Sequence, residues 1–184
     1  MSFKNYITEI PNFPIEGVNF KDLSPLLSDK EMFRKAVKEM GKLIIWKDGK
    51  FIGTRDNKFI GTVDYWIGIE SRGFIFASAL AMHFGGGVVC ARKEGKTPTA
   101  KHTVSYDLEY GSATLEMAVV EHLDSSRAVI VDDVLATGGT LQATNQLATE
   151  VGYDVIDNIV LVDLAFIPRT ENFNLNVKSV VTYE

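Results

Sequence analysis

The sequence predicts an α/β domain built on a central, mainly parallel sheet flanked by helices. Short apolar runs recur without in–out alternation: Trp66-Ile67-Gly68-Ile69, Gly87 to Ala91, Val129 to Val131, Val155 to Val162 and Val177 to Tyr183. Runs of this kind mark strands buried on both faces. Segments of about a dozen residues with helical character separate several of them, as crossover connections require. The chain has 184 residues, 46% of them hydrophobic and 23% charged, which suits one domain, 1–184, with a core that needs no staple.

Each element has its own cause. Ser28-Asp29-Lys30-Glu31 has the S-x-x-E form of a capping box, and Met32, Phe33, Ala36, Val37, Met40, Leu43 and Ile44 follow at helical spacing. The pentapeptide KFIGT occurs at Lys50–Thr54 and again at Lys58–Thr62, joined by Arg55-Asp56-Asn57. Both copies are β-prone and the polar joint suits a turn, so residues 47–62 are expected to form an extra surface hairpin. Gly73 to Phe84 reads as a mostly buried helix ended by Gly85-Gly86-Gly87. Thr99 to Thr114 has turn residues and little periodicity, which predicts an exposed loop. Thr140 to Val151 reads as a helix with Gly152 just past its end.

Charge and composition remove several function classes. A net charge of −5 argues against a duplex nucleic-acid binder, which needs a basic footprint. The single cysteine, Cys90, excludes an internal disulfide framework and fits a reducing compartment. It lies in Val88-Val89-Cys90-Ala91 and is expected to be an inert, buried thiol. The opening MSFKNYITEIP lacks the apolar core of a signal peptide, and the longest apolar run, Phe74 to Met82, is too short to cross a bilayer. A cytoplasmic protein with no membrane partner follows. His83, His102 and His122 have no ligand-like spacing, so no direct metal site is expected.

The chemistry concentrates at AVIVDDVLATGGT, residues 128–140. A buried strand delivers two adjacent carboxylates, Asp132 and Asp133. The small segment Ala136-Thr137-Gly138-Gly139-Thr140 then leads into a helix N-terminus, where backbone N–H groups and the helix dipole favour an anion. Thr137 and Thr140 add hydroxyl donors. Phosphate donors beside acceptors for a sugar diol describe a ribose 5-phosphate site. Neither a Walker loop nor a dinucleotide fingerprint is present.

VIVDDVLATGGT resembles the phosphoribosyl-pyrophosphate (PRPP) signature of the type I phosphoribosyltransferases. Further segments resemble the adenine phosphoribosyltransferases. Phe13 to Leu27 is similar to their FP-x-x-G-x-x-F-[RK]-D-x-x-P-L-L segment, and Gly68 to Phe74 to their G-x-[DE]-S-R-G-F pyrophosphate loop. Arg92 to Pro98 is similar to their R-K-x-G-K-x-P run, and Tyr106 to Gly111 to Y-x-L-E-Y-G. These matches lie in family order and, with the terminal strand, cover nearly the whole chain.

The resemblance implies the type I phosphoribosyltransferase fold, with a small N-terminal base-binding hood (1–27) and a flexible catalytic flap (99–114). It implies transfer of the 5-phosphoribosyl group from PRPP to N9 of adenine, with Mg²⁺ held mainly by substrate oxygens and a homodimer as the usual assembly. Ser71 and Arg72 would hold pyrophosphate. Arg92, Lys93 and Lys96 would join them, some from a neighbouring subunit. Phe20, beside Val18, would stack on adenine, and backbone groups of Asn19 and Lys21 would read the purine edge. Leu164 would cover the other face of the base. Glu109 would be the flap carboxylate that takes the purine proton or holds the adenine tautomer whose N9 is nucleophilic, accompanied by Tyr110. The base-binding segment and Glu109 argue against a hypoxanthine–guanine or xanthine enzyme. The absence of a basic module argues against a non-catalytic regulator, and ATGGT against a phospho-acceptor receiver domain.

Overall fold

The structure, a computed structural model, describes residues 2–47, 50–55, 58–99, 101–107, 112–119 and 126–184. It opens with a 3₁₀ turn, Phe3–Tyr6, and an antiparallel pair, β1 (Thr8–Pro11) and β2 (Asn19–Asp22). Helices α1 (Ser24–Ser28) and α2 (Lys30–Lys42) follow. The cap of α2 is Asp29, one residue after the serine of the capping-box pattern. Its carboxylate accepts from the N–H groups of Glu31 (3.0 Å) and Met32 (2.9 Å), while Ser28 closes α1 by donating to Pro25 O. A carboxylate at a helix N-terminus is a stronger acceptor than a hydroxyl, so the aspartate takes the position.

Strands β3 (Ile45–Lys47), β4 (Lys50–Arg55) and β5 (Lys58–Thr62) form a separate antiparallel sheet. The two KFIGT copies therefore pair as a hairpin, and Ile45–Lys47 adds a third strand to it.

The main sheet is built from β6 (Tyr65–Ile69), β7 (Gly87–Lys93), β8 (Lys101–Asp107), β9 (Ser112–Ala118), β10 (Arg127–Leu135), β11 (Asp154–Leu164) and β12 (Lys178–Tyr183). Helix α3 (Arg72–Phe84) follows β6, and α4 (Gly139–Val151) follows β10. The spatial order is β12-β11-β10-β6-β7-β9-β8. The first five strands are parallel, while β9 and β8 run antiparallel at one edge. The chain moves outward from β6 to β7, then returns to the other side of β6 for β10. Winding reverses between β6 and β10, and in open α/β sheets ligands bind beyond the carboxyl ends of strands at such a switch point. One core lies on the α3 side, around Trp66, Phe76, Leu80 and Val131; the other lies on the α4 side, around Ile67, Ile130, Leu141 and Leu147. Each large side chain so buried contributes about 1.5–3 kcal/mol.

Three expectations change. Strand β10 continues through Asp132 and Asp133, because β11 runs beside it and keeps Asp132 in register with Val160. The acids sit inside the strand rather than past its tip. The stretch expected as an irregular loop contains the paired arms β8 and β9, with Val104 opposite Leu115; Leu108–Gly111, which join them, lie outside the described residues. Strand β7 alternates, burying Val89 and Ala91 but exposing Val88 and Cys90. The helices on the α3 side do not extend over this edge, so Cys90 is not buried. Desolvation still raises its thiol pKa above the ordinary value, against the lowering effect of Arg92, which keeps it protonated at neutral pH.

Candidate active site

The carboxyl ends of β6 and β10 meet because a glycine opens α3. A Cβ on Gly73 would lie 2.7 Å from Val131 O and 3.0 Å from an Asp132 carboxylate oxygen. Only glycine lets the helix start against the strand that carries the acids. At α4 the turn is made by Gly138, with φ +87°, a conformation that side-chain-bearing residues rarely adopt. Neither α3 nor α4 has a side-chain cap, so no capping side chain competes with an anion for their first-turn amides.

Three cavities adjoin here. A cleft of about 450 Å³ is lined by Ser71, Arg72, Lys93, Asp132, Asp133 and Thr140, among others. A pocket of about 90 Å³, the size of a small anion, is lined by Ala136, Thr137, Gly138 and Thr140 together with Asp132. An apolar hollow of about 770 Å³ is lined by Val18, Asn19, Phe20, Lys21 and Leu164, with Phe166 and Ile167 extending it. Arg72 and Asp133 border both the cleft and the hollow, Asp132 and Thr140 both the cleft and the pocket, and Ala136 and Thr137 both the pocket and the hollow. The three spaces form one continuous site.

The two acids have different environments. Asp133 is buried and ion-paired to Arg72, Nε to Oδ2, at 2.7 Å. Asp132 accepts the N–H of Asp133 at 2.9 Å. Desolvation, then repulsion from Asp133, raises its carboxyl pKa well above the ordinary aspartate value. Arg72 also lies over the Phe20 ring, its guanidinium carbon 5.2 Å from the centroid, and Phe13 packs edge-on to Phe20 at 5.3 Å. The side chains of Asn19 and Lys21 both turn to Glu9, at 2.9 and 2.7 Å, and Lys21 stacks over Tyr183 of β12. These contacts tie the β1–β2 hairpin to the sheet.

Lys93 and Lys96 meet Glu70. Its carboxylate accepts the Lys93 N–H at 2.8 Å and pairs with the Lys96 ammonium. Arg92 donates to Lys96 O at 2.7 Å and lines none of these cavities. Gly139 opens α4 without lining them. Glu109 and Tyr110 lie outside the described residues.

Two residues near the site, Glu116 and Arg169, escaped the sequence reading, and Glu70 and Tyr106 entered it only as members of family-like motifs without roles of their own. Tyr106 Oη lies 3.2 Å from Thr140 Oγ1, linking the edge hairpin to the phosphate-sized pocket. Glu116 is fully buried on β9 and accepts the N–H groups of Gly95 (3.1 Å), Lys96 (2.6 Å) and Thr97, besides the Lys101 ammonium. Burial pushes its carboxyl pKa up, but the Lys101, Thr97 and Gly95 hydrogen bonds outweigh it and hold the pKa at about 2, against an ordinary 4.5. A depressed pKa gives stability that is present above the ordinary value and is lost as pH falls towards the folded one. Thermal melts from pH 6 to pH 2 should therefore fall more steeply for the wild type than for Glu116→Gln. Parallel curves would remove Glu116 as the anchor of this loop.

Comparison with known proteins identifies the class that this fold and site define. Residues 35–166 match the phosphoribosyl transferase domain, so the chain belongs to the phosphoribosyltransferase family. Within it, the similarity runs to the adenine phosphoribosyltransferases. The enzyme of that name from Hydrogenovibrio crunogenus is 39% identical over 179 residues, covering 97% of this chain and 95% of the relative. The crystal structure of adenine phosphoribosyltransferase from Thermoanaerobacter pseudethanolicus superposes with a TM-score of 0.84 at 35% identity, covering 98% of both chains. That from Saccharomyces cerevisiae, solved with adenine and an imino-altritol bisphosphate, gives 0.81 at 29% identity, covering 96% and 95%.

Proposed function

We propose that the chain transfers the 5-phosphoribosyl group of PRPP to N9 of adenine, releasing AMP and pyrophosphate, as a purine-salvage enzyme. The observation that carries this reading is the continuity of the site. A phosphate-sized pocket, a pair of acids and an aromatic-lined hollow share Arg72, Asp132, Asp133, Ala136 and Thr137 as common walls. The adenine bound in the Saccharomyces cerevisiae relative supports the choice of base.

In this mechanism the amides and hydroxyls of Ala136 to Thr140 hold the 5′-phosphate. Asp132 and Asp133 accept from the ribose hydroxyls, and their charge favours the cationic sugar of the transition state. The bond from C1′ to pyrophosphate oxygen breaks as the bond from N9 to C1′ forms, and Glu109 takes the N9 proton. Ser71, Arg72, Lys93 and Lys96 receive the leaving pyrophosphate. Phe20 stacks on the base, Leu164 faces it from the far side, and the main chain of Asn19 and Lys21 reads its edge. A Mg²⁺ would arrive on the oxygens of PRPP, in the cleft lined by Asp132 and Asp133. When bound, that ion neutralises charge developing on pyrophosphate. Residues 99–114, to which Glu109 and Tyr110 belong, act as the flap that excludes water, and residues 1–27 act as the hood. The test is AMP formation from PRPP with adenine, hypoxanthine, guanine and xanthine in parallel. Adenine alone should turn over; faster turnover of an oxopurine would overturn the base assignment.

The working unit is a homodimer. Ile75, Ser78 and Met82 form one exposed stripe on α3, and Met82 is 87% exposed. Val88 and Cys90 pair in register with Trp66 and Gly68, so they share the α3 face of the sheet. Arg92 continues that face by alternation, which supports its reaching the partner's site rather than its own. Contiguous exposed apolar surface of this kind marks an interface. Met82→Glu should halve the mass seen by sedimentation; unchanged mass would exclude this face. A cytoplasmic location fits the single cysteine.

A further inference from the structure

A loop that cradles a phosphate with its N–H groups must turn the carbonyls of the same peptides the other way. Those carbonyls then need donors behind the loop, because an unpartnered buried C=O is costly. Here the donors come from the connection between β11 and β12. The Arg169 guanidinium donates to Ala136 O, and the Thr170 N–H donates to Thr137 O at 2.9 Å. The Phe173 ring closes the back of the next peptide, since a Cβ on Gly138 would lie 2.4 Å from it. One residue further, the Asn174 N–H reaches Gln142 Oε1 on the first turn of α4 at 3.4 Å.

The other side of Arg169 is equally tied. The same guanidinium pairs with Asp163 and donates to Leu164 O at 3.3 Å. Leu164 lines the hollow that receives the base, as do Phe166 and Ile167. Arg169 thus joins the back of the phosphate loop to the end of β11.

We propose that Arg169 is a positioning residue for the 5′-phosphate loop: it fixes the outward carbonyls so that the inward amides stay aimed at PRPP. The proposal rests on the activity assigned above. An ion pair with Asp163 alone, the two side chains only 23% and 22% exposed, would support the fold without selecting between substrates. A guanidinium is needed because its planar fork can serve Asp163 and two backbone carbonyls together, whereas an ammonium is a single point of donation.

The test compares wild type, Arg169→Met and Arg169→Lys by initial rates, varying PRPP and adenine separately, with a thermal melt of each. Loss of charge-assisted hydrogen bonds to the loop should raise the PRPP KM of Arg169→Met by about 10- to 100-fold, with the adenine KM within about threefold. Arg169→Lys, which keeps the charge and guards against a folding failure, should fall between. Millimolar guanidinium should lower the PRPP KM of Arg169→Met and leave the wild type unchanged. Equal changes in both KM values, or a fall in Tm and kcat with no selective loss of PRPP, would overturn the proposal. Wild-type turnover separates this from the parent reading. If the wild type makes no AMP, the activity fails; calorimetry with ribose 5-phosphate then decides Arg169, and equal or absent binding in wild type and Arg169→Met overturns its role.

Discussion

Replacing Asp132 and Asp133 together by asparagine should lower AMP formation by at least about 10³-fold in a protein that still folds. Both positions lie inside β10, and asparagine matches aspartate in shape, so the ladder to β11 is kept. What disappears is negative charge beside a sugar that becomes cationic, and two strong acceptors for its hydroxyls. The single variants should separate by stability. Asp132 has a raised pKa, so its ionised form is disfavoured in the folded protein and costs stability above that pKa. Asp132→Asn should therefore hold or raise Tm at neutral pH while losing activity. Asp133 is the ion-pair partner of Arg72, so Asp133→Asn should lower Tm by leaving that guanidinium unpaired. Near-normal turnover of the double variant would move the sugar site elsewhere.

The parallel strands and the phosphate loop were legible because their causes are local. Val129 to Val131 reads as buried from its own composition, and the ATGGT segment announces its small volume directly. The strand's true end was not legible, since Asp132 stays in register only because β11 continues beside it to Leu164. Cys90 shows the reverse case: an apolar run predicts burial, yet the sheet edge leaves alternate residues uncovered. Glu116 sits between Leu115 and Met117, where alternation would turn a charge to water. Its partners are the amides of Gly95 to Thr97, about 20 positions earlier, and no local pattern shows them. Arg169 lies in a polar stretch whose only meaning is what it touches across the fold. The base hollow was legible only through the family resemblance, which pointed to Val18, Asn19, Phe20, Lys21 and Leu164; Phe20 beside Val18 reads by itself as core packing, and the anchor of the Asn19 and Lys21 side chains is Glu9, on a hairpin that carries no strong signal.

Glu109→Ala should lower kcat by about 10²–10⁴-fold, the usual worth of general-base assistance, while the PRPP KM changes little. The separation follows from where each substrate is held. PRPP contacts are assigned to Ser71, Arg72, Lys93, Lys96, Asp132, Asp133 and Ala136 to Thr140, none of them in the stretch that holds Glu109. The proton that leaves N9 appears only as the new bond forms, so its acceptor matters to the transition state more than to binding. Asp107 pairs with Ser112 immediately outside the stretch that holds Glu109, and Tyr106 meets Thr140 at the phosphate end of the site. The hairpin arms are thereby anchored beside the cleft assigned to PRPP. Glu109→Gln distinguishes the two ways a carboxylate can act here. If the residue accepts the proton, glutamine should be as impaired as alanine, and the loss should shrink as a more acidic adenine analogue is used. If it only holds the reactive tautomer by hydrogen bonding, glutamine should recover most of kcat. Turnover near the wild-type rate in both variants would leave proton removal to water or to another group.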